Sequence, residues 1–265
     1  MTFSFRLSFK STAVNELSNM ADDQPSKPAA DISAPPKHRP TRLGNFRFSA
    51  AQFLIALLLL FVATPFVELF KNGDSIEGLL MTMVLVSAVF AVGGRRWTFA
   101  VALVLGVPAL AAKWINRFRP DLLPPEVHFA AGMLFVGFIL WRLLHFVFRS
   151  PRVNPEVLCA GVAGYLLLGL FWMFAYVMVA RMVPGSFSFN EGPPAAHPLQ
   201  GFDAFYFSYI TLSTVGYGDI TPVSHAARSL AMTEALTGTL YIAVLIARLV
   251  ALYSTQASQE SQPKN

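Results

Sequence analysis

This chain strings together six apolar stretches, at 51–70, 76–92, 97–114, 127–148, 155–183 and 225–253. Each is close to the roughly 20 residues that a helix needs to cross a bilayer. Backbone groups inside hydrocarbon must be satisfied within the protein, which makes such stretches helices. The composition agrees. Of the 265 residues 54% are hydrophobic and only 13% are charged, and the mean hydropathy is +0.51. A soluble domain carries about 25% charged residues. The expected fold class is therefore an all-α membrane protein with six transmembrane helices. Pro108 removes a backbone bond inside the third stretch and is expected to kink it. The single cysteine, Cys159, excludes an intramolecular disulfide and reads as a small core residue.

The flanks set the organisation. Residues 1–50 show no apolar periodicity and are rich in Ser, Pro, Ala and Asp between Ser11 and Pro40, the composition of a disordered arm. Met20 offers an alternative start within it. Lys37, His38, Arg39, Arg42 and Arg47 form a basic collar before the first span. With Arg95, Arg96, Arg149 and Arg152, this collar marks the cytoplasmic side, because basic residues gather in the loops that are not translocated. Lys113, Arg117 and Arg119 dilute that bias without reversing it. Both termini are expected in the cytoplasm of a chain in the cell (inner) membrane. The same bias accounts for the net charge of +5, so no nucleic-acid partner is implied. The expected domains are an arm over 1–50, a four-helix membrane domain over 51–150, a pore domain over 151–253 and a polar tail over 254–265. No ligand-binding domain is expected in that tail.

The chemistry lies between the fifth and sixth stretches, in Thr214-Val215-Gly216-Tyr217-Gly218-Asp219. Two glycines alternate with Val215 and Tyr217. Glycine reaches positive φ at little steric cost, so successive residues can alternate in hand and turn their carbonyls the same way. Before this motif lies the aromatic-rich run 202–213, and after it Ile220-Thr221-Pro222 and a long apolar stretch. Together these features resemble the pore-helix, filter and inner-helix signature of tetrameric potassium channels, over about residues 155–253.

The resemblance implies a re-entrant pore helix and a selectivity filter whose carbonyl rings replace the hydration shell of K⁺. Thr214, Val215, Gly216 and Tyr217 would supply the carbonyl ligands, with the Thr214 hydroxyl closing the innermost site. Gly218 would serve backbone geometry. Tyr206, Phe207 and Tyr209 would form an aromatic cuff, where related channels often carry tryptophans at the first two positions. Asp219 would accept hydrogen bonds from that cuff; its alternative is a solvated carboxylate that attracts cations at the mouth. No cofactor is implied beyond the permeant ion. The implied partners are K⁺, membrane lipids and three further copies of the chain, because one chain carries one filter.

Several residues of this half have readings of their own. Asp203 lies near the positive end of the pore helix, and Ser224 is placed to cap the last helix. Glu234 is a carboxylate inside an apolar helix, a costly group that needs a partner. Ser208, Tyr209 and Thr211 are its expected donors. It reads as a support for the filter or as a tie between helices. Gly238, nineteen residues beyond Asp219, reads as a hinge or as a close contact with the pore helix. Ile242 and Ile246 follow at helical spacing as candidates to line the cavity or gate, and Arg248 can snorkel to headgroups.

Steep voltage gating is not expected. The fourth stretch carries Arg142, His145 and Arg149 only near its cytoplasmic end, without an arginine ladder. Paired carboxylates, a His-x-x-x-His motif and a Gly-x-Ser-x-Gly elbow are missing from the membrane segments, which argues against an enzyme. The function expected is passive K⁺ conduction by a homotetramer. A weakly selective or silent channel subunit, or the membrane subunit of an uptake system, is the alternative.

Overall fold

The computed structural model describes residues 49–67, 73–92, 96–119, 121–122, 124–190 and 199–260. The expectations for the N-terminal arm and its collar, for Arg95 and for the end of the tail lie outside them. Among the described residues, seven helices and two short strands follow in order: α1 (Ser49–Val67), α2 (Gly73–Val92), α3 (Arg96–Phe118), α4 (Pro125–Arg149), α5 (Pro155–Met182), β1 (Phe187–Phe189), α6 (Gly201–Leu212), β2 (Ile220–Pro222) and α7 (His225–Glu260). The protein is an all-α membrane protein. Among the described residues, five helices contain segments long and apolar enough to cross a bilayer: Ala50–Val67, Arg96–Phe118, Glu126–Arg149, Pro155–Met182 and His225–Ser254. The apolar part of α2, Gly78–Ala91, is shorter. α3 continues through Pro108 without a break.

α1 packs against α2 and α5, α2 against α3, α3 against α4, and α4 against α5. α5 thus receives the N-terminal helices on one side and α6 and α7 on another. Small residues make the close approaches. A Cβ on Gly132 of α4 would lie 3.0 Å from the Phe174 ring of α5, and one on Gly137 would lie 3.3 Å from Phe171. Dispersion between closely fitted surfaces is the main attraction left when the surroundings are as apolar as the protein. Phe53, Leu57 and Leu60 of α1, Phe135 and Ile139 of α4, and Leu167 and Leu170 of α5 are fully buried in this core. Phe61 of α1 reaches α6, with its ring 5.5 Å from Phe205 and 5.0 Å from Tyr209.

Composition did not foretell the strands. β1 and β2 pair antiparallel, with Phe187 opposite Pro222, Ser188 opposite Thr221 and Phe189 opposite Ile220. They tie the chain leaving α5 to the chain entering α7, and α6 with its following loop is held between these two crossings.

Candidate functional site

α6 has twelve residues, about 18 Å at 1.5 Å per residue. It buries Ala204, Phe205, Phe207, Ser208 and Leu212. Its C-terminal carbonyls are taken up by the strand that follows. The amide of Ser213 donates to Tyr209, that of Thr214 to Thr211, and those of Val215 and Gly216 to Ile210, at 3.0, 3.0, 3.0 and 3.4 Å. Three of the four orphan acceptors that a helix end leaves, those of Tyr209, Ile210 and Thr211, therefore fix where the next residues start, while the Leu212 carbonyl accepts from the Tyr165 hydroxyl at 3.4 Å.

From there the backbone alternates. Thr214, Gly216 and Gly218 have φ of +60°, +53° and +80°. Thr214 is the one non-glycine with positive φ among the described residues. A side chain held there costs about 1–3 kcal/mol and persists only where its surroundings enforce it. From the sequence, only the glycines were expected to take this conformation. The structure extends it to the threonine that begins the motif. Val215 and Tyr217 are 53% and 74% exposed, so one chain leaves this strand uncovered.

Behind the strand the contacts are polar. The Tyr206 hydroxyl donates to Asp219 Oδ2 at 2.6 Å, and Asp219 Oδ1 accepts the amide of Ile220 at 3.0 Å. The Asn190 side chain donates to the Gly218 carbonyl at 2.6 Å, and its amide donates to the Asp219 carbonyl at 2.8 Å. Asn190 sits directly after β1, so the hairpin pairing places it. No motif in the sequence singles it out.

Glu234 is fully buried. Ser208 donates to its Oε1 at 2.6 Å, and Tyr176 of α5 donates to its Oε2. The Ser208 hydroxyl also lies 2.8 Å from the Gly169 carbonyl. One carboxyl group thus joins α5, α6 and α7. Of the three expected donors, only Ser208 is in place. Tyr209 instead donates to Leu166 of α5 at 2.5 Å, and Thr211 uses its carbonyl on the Thr214 amide. Tyr176 escaped notice because a tyrosine in an apolar helix carries no signal of its partner.

The aromatic cuff needs the same correction. Phe207 does not face Asp219. Its ring lies 4.9 Å from Tyr176 and 5.4 Å from Phe187, edge-on in both cases. Side chains of successive helical residues diverge by about 100°, so adjacent aromatics cannot share one target. Gly238 is a contact glycine. A Cβ there would lie 2.8 Å from Leu212 Cδ1 and closer still to the Leu212 carbonyl oxygen, and α7 runs through it unbroken. The hinge reading finds no break in the helix. Ser224 caps α7 by accepting the Ala227 amide at 3.2 Å. Ile242 and Ile246 are 42% and 56% exposed. Arg248 turns inward and donates to the carbonyls of Phe148 and Ser150 at 2.9 and 3.2 Å. It ties the end of α4 to α7, where headgroup contact had been expected.

A family model described as an ion channel matches residues 157–255, from α5 into α7. Protein LctB of Bacillus caldotenax is 37% identical over 118 residues, which are 42% of this chain and 81% of that protein. The voltage-gated potassium channel Kch of Escherichia coli (strain K12) is 52% identical over 118 residues, 42% of this chain and 25% of its own length. The chain belongs to the potassium channel family. The two pore potassium channel c of Oryza sativa subsp. japonica is 36% identical over 86 residues, 32% of this chain. This potassium channel family member spans only 16% of the rice protein's length. No solved structure matches it.

Proposed function

We propose that this protein conducts K⁺ passively across the membrane as a homotetramer, with residues 214–218 as its selectivity filter. The alternating hand of Thr214, Gly216 and Gly218 carries the reading. Alternation turns consecutive carbonyls to one side, and four such strands about an axis form rings of oxygens that stand in for water around K⁺. Thr214, Val215, Gly216 and Tyr217 supply the ligands, with the Thr214 hydroxyl at the inner end. Four copies are required because one strand provides a quarter of each ring.

Asp219, Tyr206 and Glu234 hold the strand from behind, and Gly238 lets α7 approach the end of α6. Ile242 and Ile246 line the route toward the cytoplasm. The C-terminal end of α6 directs its partial negative charge toward the cavity and favours a cation there. Residues 151–253 form the pore half and 51–150 a second membrane half. Six spans with both termini in the cytoplasm of an inner-membrane protein put the filter at the outer face. Arg142, His145 and Arg149 cluster in the second half of α4, an arrangement that supports little voltage dependence.

The purified protein reconstituted in liposomes tests this. A K⁺ gradient alone, without ATP, should drive uptake that Ba²⁺ blocks and Na⁺ does not support. Equal K⁺ and Na⁺ fluxes would replace the reading with a weakly selective subunit. No flux in either ion would leave a silent one.

A further inference from the structure

A cavity of about 740 Å³ lies among α1–α5 and the start of α6. Its size falls within the range of about 300–1,000 Å³ typical of ligand sites. Most of its wall is hydrocarbon, from residues such as Met81, Leu85, Phe135, Val136 and Leu167. The polar lining is gathered at one end, where Lys113 and Arg117 close α3, His128 opens α4, and Gln200 and Asp203 begin α6. Arg117 also donates to Ser75 of α2 at 3.3 Å. The first turn of α6 lines the same end through Gly201 and Asp203, and Gln200, its N-cap, makes no capping bond with its side chain. That side chain accepts from Arg181 at 3.2 Å instead. A helix N-terminus adds to the attraction for an anion.

An apolar wall with a basic rim matches a molecule that is hydrocarbon at one end and anionic at the other. We propose that this cavity binds a membrane phospholipid with an anionic head. One acyl chain lies among α2, α4 and α5, and the phosphate lies between Lys113, Arg117 and the first turn of α6. The site would join the N-terminal helices to the pore helix through a lipid.

The test uses the full chain in nanodiscs with phosphatidylglycerol that carries a diazirine midway along one acyl chain. A phosphatidylcholine with the same photoreactive chain serves as control, and adducts are mapped by peptide mass spectrometry. Phosphatidylglycerol should label the cavity faces of α2 and α4 several-fold more than phosphatidylcholine. The double variant Lys113→Gln/Arg117→Gln should remove that preference. Ala88→Phe, which adds a ring inside the wall, should abolish labelling there by both lipids. An unchanged elution profile of each variant shows that it has folded. Equal labelling by the two lipids would overturn the proposal. So would adducts that neither variant reduces, or cavity labelling that appears only after residues 1–48 are removed. The readout requires no ion flux, so its failure and that of the conduction reading are separate results.

Discussion

α5 and α7 flank the same short helix, α6, and are similar in hydropathy, yet 61% of the membrane segment of α5 is buried against 6% of that of α7. α5 is finished by its own chain. It receives α1 and α4 on one side and α6 on the other, and Gly161 and Gly164 admit Leu245 and Tyr241 of α7. α7 uses a narrow stripe for those contacts, including Tyr241, whose hydroxyl donates to the Gly161 carbonyl at 2.6 Å. Leu236, Leu240, Val244 and Ile246 remain exposed, as does the strand from Thr214 to Tyr217. Exposed apolar side chains on α1 need only lipid. An uncovered helix beside an uncovered polar strand needs protein, because backbone carbonyls cannot face hydrocarbon. The contrast separates the part of the fold complete in one chain from the part that four copies would complete.

The largest effect should come from the strand itself. Gly216→Ala puts a Cβ on a residue at φ +53°, at about 1–2 kcal/mol per copy. Four copies around one axis raise this to on the order of 4 kcal/mol or more, close to a thousandfold in rate. K⁺ flux into liposomes should fall to background with the tetramer intact. Undiminished, selective flux would mean that the alternation is irrelevant to conduction.

A paired substitution addresses the two helices next. Leu240→Trp enlarges a side chain on the open face of α7, and Leu58→Trp does the same on α1, at 61% and 43% exposure. If copies meet along α7, only the first overfills an interface, at about 1–3 kcal/mol per copy. Light scattering on the detergent-solubilised protein should show Leu240→Trp losing tetramer while Leu58→Trp keeps it. The reverse pattern would place the contact between copies on the N-terminal helices.

Glu234→Ala acts where the finished and unfinished parts meet. It leaves the Tyr176 hydroxyl without its acceptor and takes one of two from Ser208, whose hydroxyl still reaches the Gly169 carbonyl. An unpaired buried polar group costs about 1–3 kcal/mol. The thermal midpoint should drop, and Glu234→Gln, which keeps an acceptor oxygen, should recover most of it. Equal losses for both would show that the negative charge is needed rather than the hydrogen bonds.

What could be read from the sequence followed what each signal measures. Apolar length reports burial in lipid, so the helices lie close to where the hydropathy put them, α7 extending to Glu260. The alternating backbone of residues 214–218 was partly legible because glycine spacing constrains the backbone locally. Partners across the fold were not. Arg248 meets carbonyls about a hundred residues earlier, and the acceptors are main-chain groups of Phe148 and Ser150, which every residue carries and no sequence pattern marks. Phe207 and Tyr206 are adjacent aromatics with different targets, and only the rotation of α6 about its axis decides which meets Asp219. The β1–β2 pairing rests on two three-residue segments, too short for any periodicity to show.

Asp219 offers the finest division of the comparison, because its bonds come both from the pore helix and from the loop after α5. Tyr206→Phe removes the bond to Oδ2 but leaves the Ile220 amide on Oδ1 and both Asn190 contacts. Its cost should be the smallest here, about 0.5–1.5 kcal/mol. Initial K⁺ flux should be near normal, with the change appearing as a decline during sustained flux as the strand loses its shape. Asn190→Ala removes the other brace. If the two hold one strand, the double variant should depart from the sum of the singles by at least about 0.5 kcal/mol, the mark of coupled sites. Strict additivity would mean that Asn190 only anchors the hairpin. Tyr206 would then be the single polar brace shared by α6 and the filter, and the strand would owe its shape mainly to the carbonyls of Ile210 and Thr211 below it.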